Sequence, residues 1–149
     1  MKPQRTQRDA KNLSERFSRS EALLGAEAMK RLAEARVLVV GVGGVGSWCA
    51  EALVRTGLGH ITLVDDDVVA ESNINRQCPA TMETIGRAKV ESMAERLRAI
   101  NPKCEVTPIC ERFSAGQSNN LNNRTIMSQS WVRAAARSTR RRRWRRSWA

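Results

Sequence analysis

Six residues, Gly41-Val42-Gly43-Gly44-Val45-Gly46, decide most of what this chain can fold into. They follow an apolar run, RVLVV (Arg36–Val40), and precede a helical stretch from Ser47 to about Thr56. A strand that feeds G-x-G-x-x-G into a helix makes a phosphate-binding turn. The glycines let the backbone fold tightly against an anion, and the helix N-terminus directs free N–H groups and partial positive charge at it. A second apolar run, HITLV (His60–Val64), ends on Asp65-Asp66-Asp67. An acid at that tip, about 20 residues past the glycines, is where a ribose hydroxyl would be gripped.

The flanking sequence extends the same pattern. Glu21–Ala35 carries Leu23, Leu24, Met29, Leu32 and Ala33 at rough helical spacing, interrupted by Gly25, which predicts one or two short helices. Gly57 and Gly59 close the helix after the glycine turn. Asp65 to Ile85 is a long polar connection of the kind that carries function. From Arg87 to about Ile100, Val90, Met93, Ala94, Leu97 and Ile100 form one apolar stripe, and Asn101-Pro102 stops the helix. Glu105–Ile109 predicts a third strand, short or at an edge because Pro108 has no N–H to give to a ladder. The expected fold is α/β: the N-terminal half of a doubly wound, Rossmann-like parallel sheet, spanning residues 16–114 after a disordered polar stretch at 1–15.

The net charge of +11 is a property of one end of the chain. Residues 115–149 hold nine arginines with no lysine and no acid, whereas the first 114 carry 17 basic and 15 acidic side chains. The body is therefore almost neutral and its charge says little about partners. In the tail, arginines interleaved with Trp131, Trp144 and Trp148 suit a nucleic-acid-binding extension. The abrupt loss of lysine, acids and apolar periodicity equally suits translation in a shifted frame of GC-rich DNA. The second reading is favoured here, and the tail is expected to be unstructured. Cys49, Cys78, Cys104 and Cys110 are scattered with no C-x-x-C pair, which argues against a zinc site and for a cytoplasmic chain with reduced thiols. No apolar run is long enough for a membrane helix, and no secretion signal precedes the first helix.

A glycine fingerprint alone most often accompanies NAD or FAD. Here, however, Asp65 and Asp67 form a D-x-D, Asn73 and Arg76 follow on the connection, and Lys89 opens the next helix. A hydride carrier needs no cations gathered around its phosphates. A nucleoside triphosphate attacked at its α-phosphorus does, because charge builds on the departing pyrophosphate.

These residues, with Gly86-Arg87-Ala88-Lys89-Val90-Glu91 and Ile100-Asn101-Pro102, resemble the ThiF/MoeB/HesA group of ATP-dependent adenylyltransferases, relatives of the ubiquitin-activating enzymes. The wording of Gly43–Trp48, Ala50–Gly57, Asn73–Gln77 and Met93–Arg96 is most similar to the branch of tRNA threonylcarbamoyladenosine dehydratases. The resemblance covers about residues 16–113. It implies that Gly41, Gly43, Gly44 and Gly46 cradle ATP, with Asp65 on the ribose and Asp67 shaping the same pocket. It further implies that Asn73, Arg76 and Lys89 hold the phosphates, and that Arg19 is the arginine the wider group reaches across a homodimer. Arg76, Lys89 and Arg19 would then be the catalytic cations. The implied substrate is tRNA carrying threonylcarbamoyladenosine, whose carboxylate would attack the α-phosphate before ring closure expels AMP. The group's next acid, an Asp that holds Mg2+ after the fourth strand, should lie beyond residue 113, and nothing in 115–149 supplies it. The chain is accordingly expected to be an N-terminal portion that lacks the substrate half.

Other readings stay open. The same chemistry would serve adenylylation of a sulfur-carrier protein, and a non-catalytic nucleotide- or RNA-binding role is a third possibility, with a dehydrogenase a distant fourth. His60 reads as a surface residue starting a strand. Trp48 and Cys49 read as core or interlayer contacts, and Cys78 lies near the site with nothing to lower its pKa.

Overall fold

The computed structural model describes residues 15–113 and 125–128. Two short helices, α1 (Ser18–Leu24) and α2 (Ala26–Glu34), lead into β1 (Arg36–Val40). Then come α3 (Gly46–Thr56), β2 (His60–Val64), a 3-10 turn (Glu71–Asn73), α4 (Lys89–Ile100), β3 (Glu105–Ile109) and β4 (Thr125–Ser128). Gly25 separates α1 from α2, at the break its sequence position predicts.

The strands form one parallel sheet in the order β3-β2-β1-β4. Val37, Leu38 and Val39 are almost wholly buried, as are Ile61 and Leu63, which is why these strands read as unbroken apolar runs rather than alternating ones. Under α3 and α4, Val37, Val39, Ile61, Leu63 and Val106 meet Ala50, Val54, Val90, Met93, Ala94 and Leu97 in a single cluster. Each fully buried aliphatic side chain there contributes about 1.5–3 kcal/mol. α3 ends at Gly57, whose left-handed φ of 113° no β-carbon-bearing residue adopts cheaply. Among the described residues β3 lies at the sheet edge, opposite only β2, with Pro108 in register with Leu63. A proline is tolerated there because its missing N–H is not owed to a second neighbour.

β4 differs from expectation. The tail was expected to be unstructured throughout, yet Thr125-Ile126-Met127-Ser128 pairs in parallel with Val37–Val40. The physical reason is local: two β-branched residues and a methionine suit a pleated strand, and the apolar edge of β1 is open to them. The other residues of 115–149, and those of 1–14, lie outside the described residues.

α1 and α2 bury none of their residues fully, and Leu23 is 84% exposed. They sit by the N-terminal end of β2, where Phe17, Glu21, Met29 and Ala33 line one cavity with Gly57, Gly59 and His60. No described helix is long and apolar enough to cross a membrane.

Candidate nucleotide site

The glycine turn is built by two close approaches. Gly41 has φ 87° and donates its N–H to Val64 O at 2.8 Å, tying the turn to the end of β2. Gly46 lies so near that carbonyl-bearing turn that a β-carbon on it would stand 1.9 Å from Gly41 O. These two glycines therefore make the strand-to-helix packing possible, while Gly43 and Gly44 face the open side. Among the described residues, the backbone N–H groups of Gly43, Gly44 and Val45 meet no acceptor. Val45, at the N-cap of α3, supplies no side-chain oxygen to them. Bare N–H groups and the positive end of an 11-residue helix face the same space, an arrangement that favours an anion.

That space is a cavity of about 490 Å³ lined by Gly43, Gly44, Val45, Asp65, Asp67, Arg76, Gln77 and Lys89. Asp65 Oδ2 accepts the Val42 N–H at 2.6 Å and its Oδ1 accepts the Asp67 N–H at 2.9 Å, so the carboxylate pins the turn to the strand tip. The long connection is less loose than its sequence suggests. Val68 bridges Ala88, Val69 N–H bonds Arg87 O, and Lys89 N–H bonds Asp67 O at 3.0 Å. This clasp delivers Lys89 back to the aspartates, where its buried ammonium donates to Asp67 Oδ2 at 2.7 Å.

Arg76 is exposed, and its stem lies over Gly44, with carbon atoms 3.6–3.7 Å from where a β-carbon would sit. One guanidinium nitrogen donates to Ser72 O and to Asn75 Oδ1, which leaves the rest of the fork for a ligand. Trp48, read as a core or interlayer contact, is 53% exposed, and its indole N–H donates to Arg76 O at 3.0 Å. It braces the arginine segment from outside, because its position on the first turn of α3 faces the connection rather than the sheet.

Behind that segment stands a cluster that sequence inspection did not find. Glu51, buried on α3, accepts from Arg96 Nε at 2.6 Å, from Arg55 Nε at 2.8 Å and from the Cys78 thiol at 2.6 Å. Ser47 Oγ donates to Gly43 O and accepts the Cys78 N–H at 3.1 Å. The connection is thus bolted to the helix just past Arg76 and Gln77. The Arg96 hydrogen bond, with those from Cys78 and Arg55, outweighs burial and holds Glu51 down at about 2. Burial and the neighbouring carboxylate push the Cys78 thiol up to about 12. A single Glu on a helix gives no sequence cue to this; only the fold brings 51, 78 and 96 together. Thiol labelling of the native chain should therefore modify exposed Cys110 first, and Cys78 and buried Cys104 only as the chain opens. Early modification of Cys78, mapped by mass spectrometry, would contradict the lock.

Of the residues singled out from sequence, the cavity gathers Gly43, Gly44, Asp65, Asp67, Arg76 and Lys89. Gly41 and Gly46 support it from behind. Asn73 does not line it: the residue is buried, and its Oδ1 accepts the Ala70 N–H at 3.0 Å, fixing the 3-10 turn. Arg19 is exposed on α1, whose neighbours lie at the opposite end of β2 from Asp65, so this chain does not bring it to its own cavity. His60 starts β2 and its Nδ1 lies 2.9 Å from Glu105 Oε2. Gln77, quoted in the sequence only as the end of the Asn73–Gln77 motif and given no role there, also lines the cavity.

Comparison with known proteins fits this geometry. The chain is 53% identical over 95 residues to the tRNA threonylcarbamoyladenosine dehydratase of Escherichia coli, covering 64% of this chain and 35% of that protein. It is 46% identical over 112 residues to its namesake in Haemophilus influenzae, covering 74% and 43%. The molybdopterin-synthase adenylyltransferase of Salmonella typhimurium is 41% identical over 100 residues, or 66% of this chain and 40% of that one. Among solved structures, the E. coli tRNA N6-threonylcarbamoyladenosine dehydratase in complex with ATP superposes with a TM-score of 0.75 at 43% identity, covering 78% of this chain and 49% of that chain. The chain spans about a third to a half of the length of these relatives. The ThiF family model matches residues 17–144, and with relatives of this identity and a shared Rossmann-like fold the conclusion is direct: the chain belongs to the ThiF family.

Proposed function

We propose that this chain forms the ATP-binding part of a carboxylate-adenylating enzyme of the tRNA threonylcarbamoyladenosine dehydratase type. The observation that carries the proposal is the convergence of bare turn N–H groups, Arg76 and Lys89 on one cavity beside Asp65. In the reaction, a carboxylate oxygen of the substrate attacks the α-phosphorus and the bond to the bridging oxygen breaks, releasing pyrophosphate. The resulting acyl-adenylate then closes on itself and loses AMP. Gly43, Gly44 and Val45 would hold phosphoryl oxygens through their N–H groups, and Asp65 would accept from a ribose hydroxyl. Arg76 and Lys89 would offset the charge growing on pyrophosphate. For Lys89 this requires exchanging Asp67 for phosphate, so ATP binding should break that ion pair. Asn73 would act indirectly, by shaping the turn that presents Arg76. Arg19 would enter only from a second copy in a homodimer.

Mg2+ accompanies ATP chemistry, but the residues described here do not make a resident site for it. Asp65, Asp66 and Asp67 cluster, yet both Asp65 oxygens accept N–H groups and one Asp67 oxygen is held by Lys89. β4 is followed by Gln129 and Ser130, and 115–149 contain no acid to take that role.

A second reading keeps the site and changes the acceptor to the C-terminal carboxylate of a sulfur-carrier protein. The 41% identity to a molybdopterin-synthase adenylyltransferase favours keeping it in view. Titration calorimetry of the 149-residue chain should show ATP binding, and Arg76→Ala should weaken it at least tenfold. Absence of ATP binding by the folded chain would refute the proposal. ATP–pyrophosphate exchange dependent on tRNA bearing threonylcarbamoyladenosine, against exchange dependent on a carrier protein, separates the two substrates.

A further inference from the structure

Gln77 makes no side-chain hydrogen bond among the described residues, although it is only 7% exposed and lines the cavity. Its Oε1 is the one buried side-chain oxygen or nitrogen there without a partner. An unmet buried amide oxygen is a standing cost in a fold, and buried polar groups left in this state call for an explanation. The backbone at this residue is otherwise fully engaged: its N–H bonds Asn73 O at 2.9 Å and its carbonyl accepts the Ala80 N–H at 3.1 Å. The side chain is thus held at the cavity wall by bonds it does not itself make. Two carboxylates share the wall, both already hydrogen-bonded (Asp65 to the Val42 and Asp67 N–H groups, Asp67 to Lys89), and its other polar companions are donors: the Arg76 guanidinium, the Lys89 ammonium and the N–H groups of Gly43 and Gly44. A ligand segment placed among them must be rich in acceptors, as a phosphate chain is.

We propose that Gln77 is a nucleotide-contact residue whose amide Nε2 donates to a phosphoryl oxygen of bound ATP. The inference rests on the ATP reading above and adds a residue to it. An amide adds a directed donor between two cations without adding charge, and rotation about its last bond lets the same group turn its N–H to the ligand. The amide makes no hydrogen bond to the other described residues, so no such bond has to break when the group turns to a ligand.

Gln77→Leu keeps the volume and removes the polar atoms. Calorimetric titration with ATP should show affinity for the variant reduced about tenfold to a hundredfold, the range for losing a hydrogen bond to a charged group. Affinity for adenosine, which lacks phosphate, should be unchanged. The melting temperature of the ligand-free variant should equal or exceed that of the parent, because the orphan carbonyl is gone. Gln77→Glu should weaken ATP further, by repulsion. Unchanged ATP affinity in Gln77→Leu would overturn the inference, as would equal losses for ATP and adenosine. A lower melting temperature with intact ATP affinity would show a merely structural residue. Failure of the parent chain itself to bind ATP would instead remove the nucleotide reading, and this inference with it.

Discussion

Gly46→Ala is expected to be the most damaging single-methyl substitution at the glycine turn, lowering stability by about 3 kcal/mol, at the upper end for overpacking. The new methyl would stand 1.9 Å from Gly41 O and 3.1 Å from the carbon that bears it. Both are backbone atoms, so no side-chain rotation relieves the contact; α3 must move away from β1 or the turn must reopen. Either way Val54 and Ala50 lose their seat against the sheet. Gly44→Ala supplies the control. Its methyl meets nothing nearer than 3.6 Å, and what it meets is Arg76. Urea melts should show Gly44→Ala within about 1 kcal/mol of the parent, the helix-end cost of losing or gaining a glycine. Its ATP affinity should nonetheless fall, because the methyl occupies cavity wall. Equal stability losses in the two variants would mean that the close approach at Gly46 is not what shapes the turn.

The second large effect is expected at Glu51. Glu51→Ala leaves Arg96 and Arg55 without their acceptor and the Cys78 thiol without its partner. Breaking a fully buried ion pair costs about 3–5 kcal/mol, but both arginines are roughly half exposed and regain water, so about 2 kcal/mol is expected. The pH dependence has a definite sign. Glu51 is held near 2 against an ordinary value of 4.5, so its contribution is complete above about 4.5 and is lost as pH falls toward 2. Cys78 acts at the other end. Its thiol is raised to about 12 from 9.0, so its share is present below about 9 and is lost as pH rises through that window. Acid melts of Glu51→Ala should be flatter than those of the parent between pH 4.5 and 2. A parallel pair of curves would show that Glu51 titrates alike in folded and unfolded chains. Because the cluster sits directly behind Arg76 and Gln77, the variant should also bind ATP more weakly in the fraction that remains folded.

Much of this architecture is legible in the residues because the signals are local. Unbroken apolar runs, the glycine spacing and the break at Gly25 each act within a few positions, and the helices and strands from α1 to β3 appear where those signals put them. That the glycine turn, Asp65 and Lys89 come together at one cavity was legible for the same reason, since all three sit at element ends. What was not legible depends on distant encounters. Asn73 looks like a ligand in sequence, yet the tightness of the 3-10 turn takes its oxygen for Ala70. Trp48 reads as a core or interlayer contact from its helix, and only the fold shows that it is half exposed and that the connection claims its N–H. Glu51, Cys78 and Arg96 are 27 and 18 positions apart, and no periodic pattern relates them. Thr125–Ser128 was hidden by the arginines around it, which dominate composition while four ordinary strand residues decide the pairing.

That pairing has a consequence for where ligands collect. With β2 on one side of β1 and β4 on the other, the strand order reverses at β1, so it stands at a topological switch point. In open α/β sheets ligands bind outside the carboxyl ends of the strands at such a point. Ser128 comes level with Val40, the last residue before the glycines, so the carboxyl end of the switch point is the end that carries the turn. The location of the cavity is therefore a product of winding order as much as of its lining, and the glycine motif occupies a gap that the sheet makes on its own.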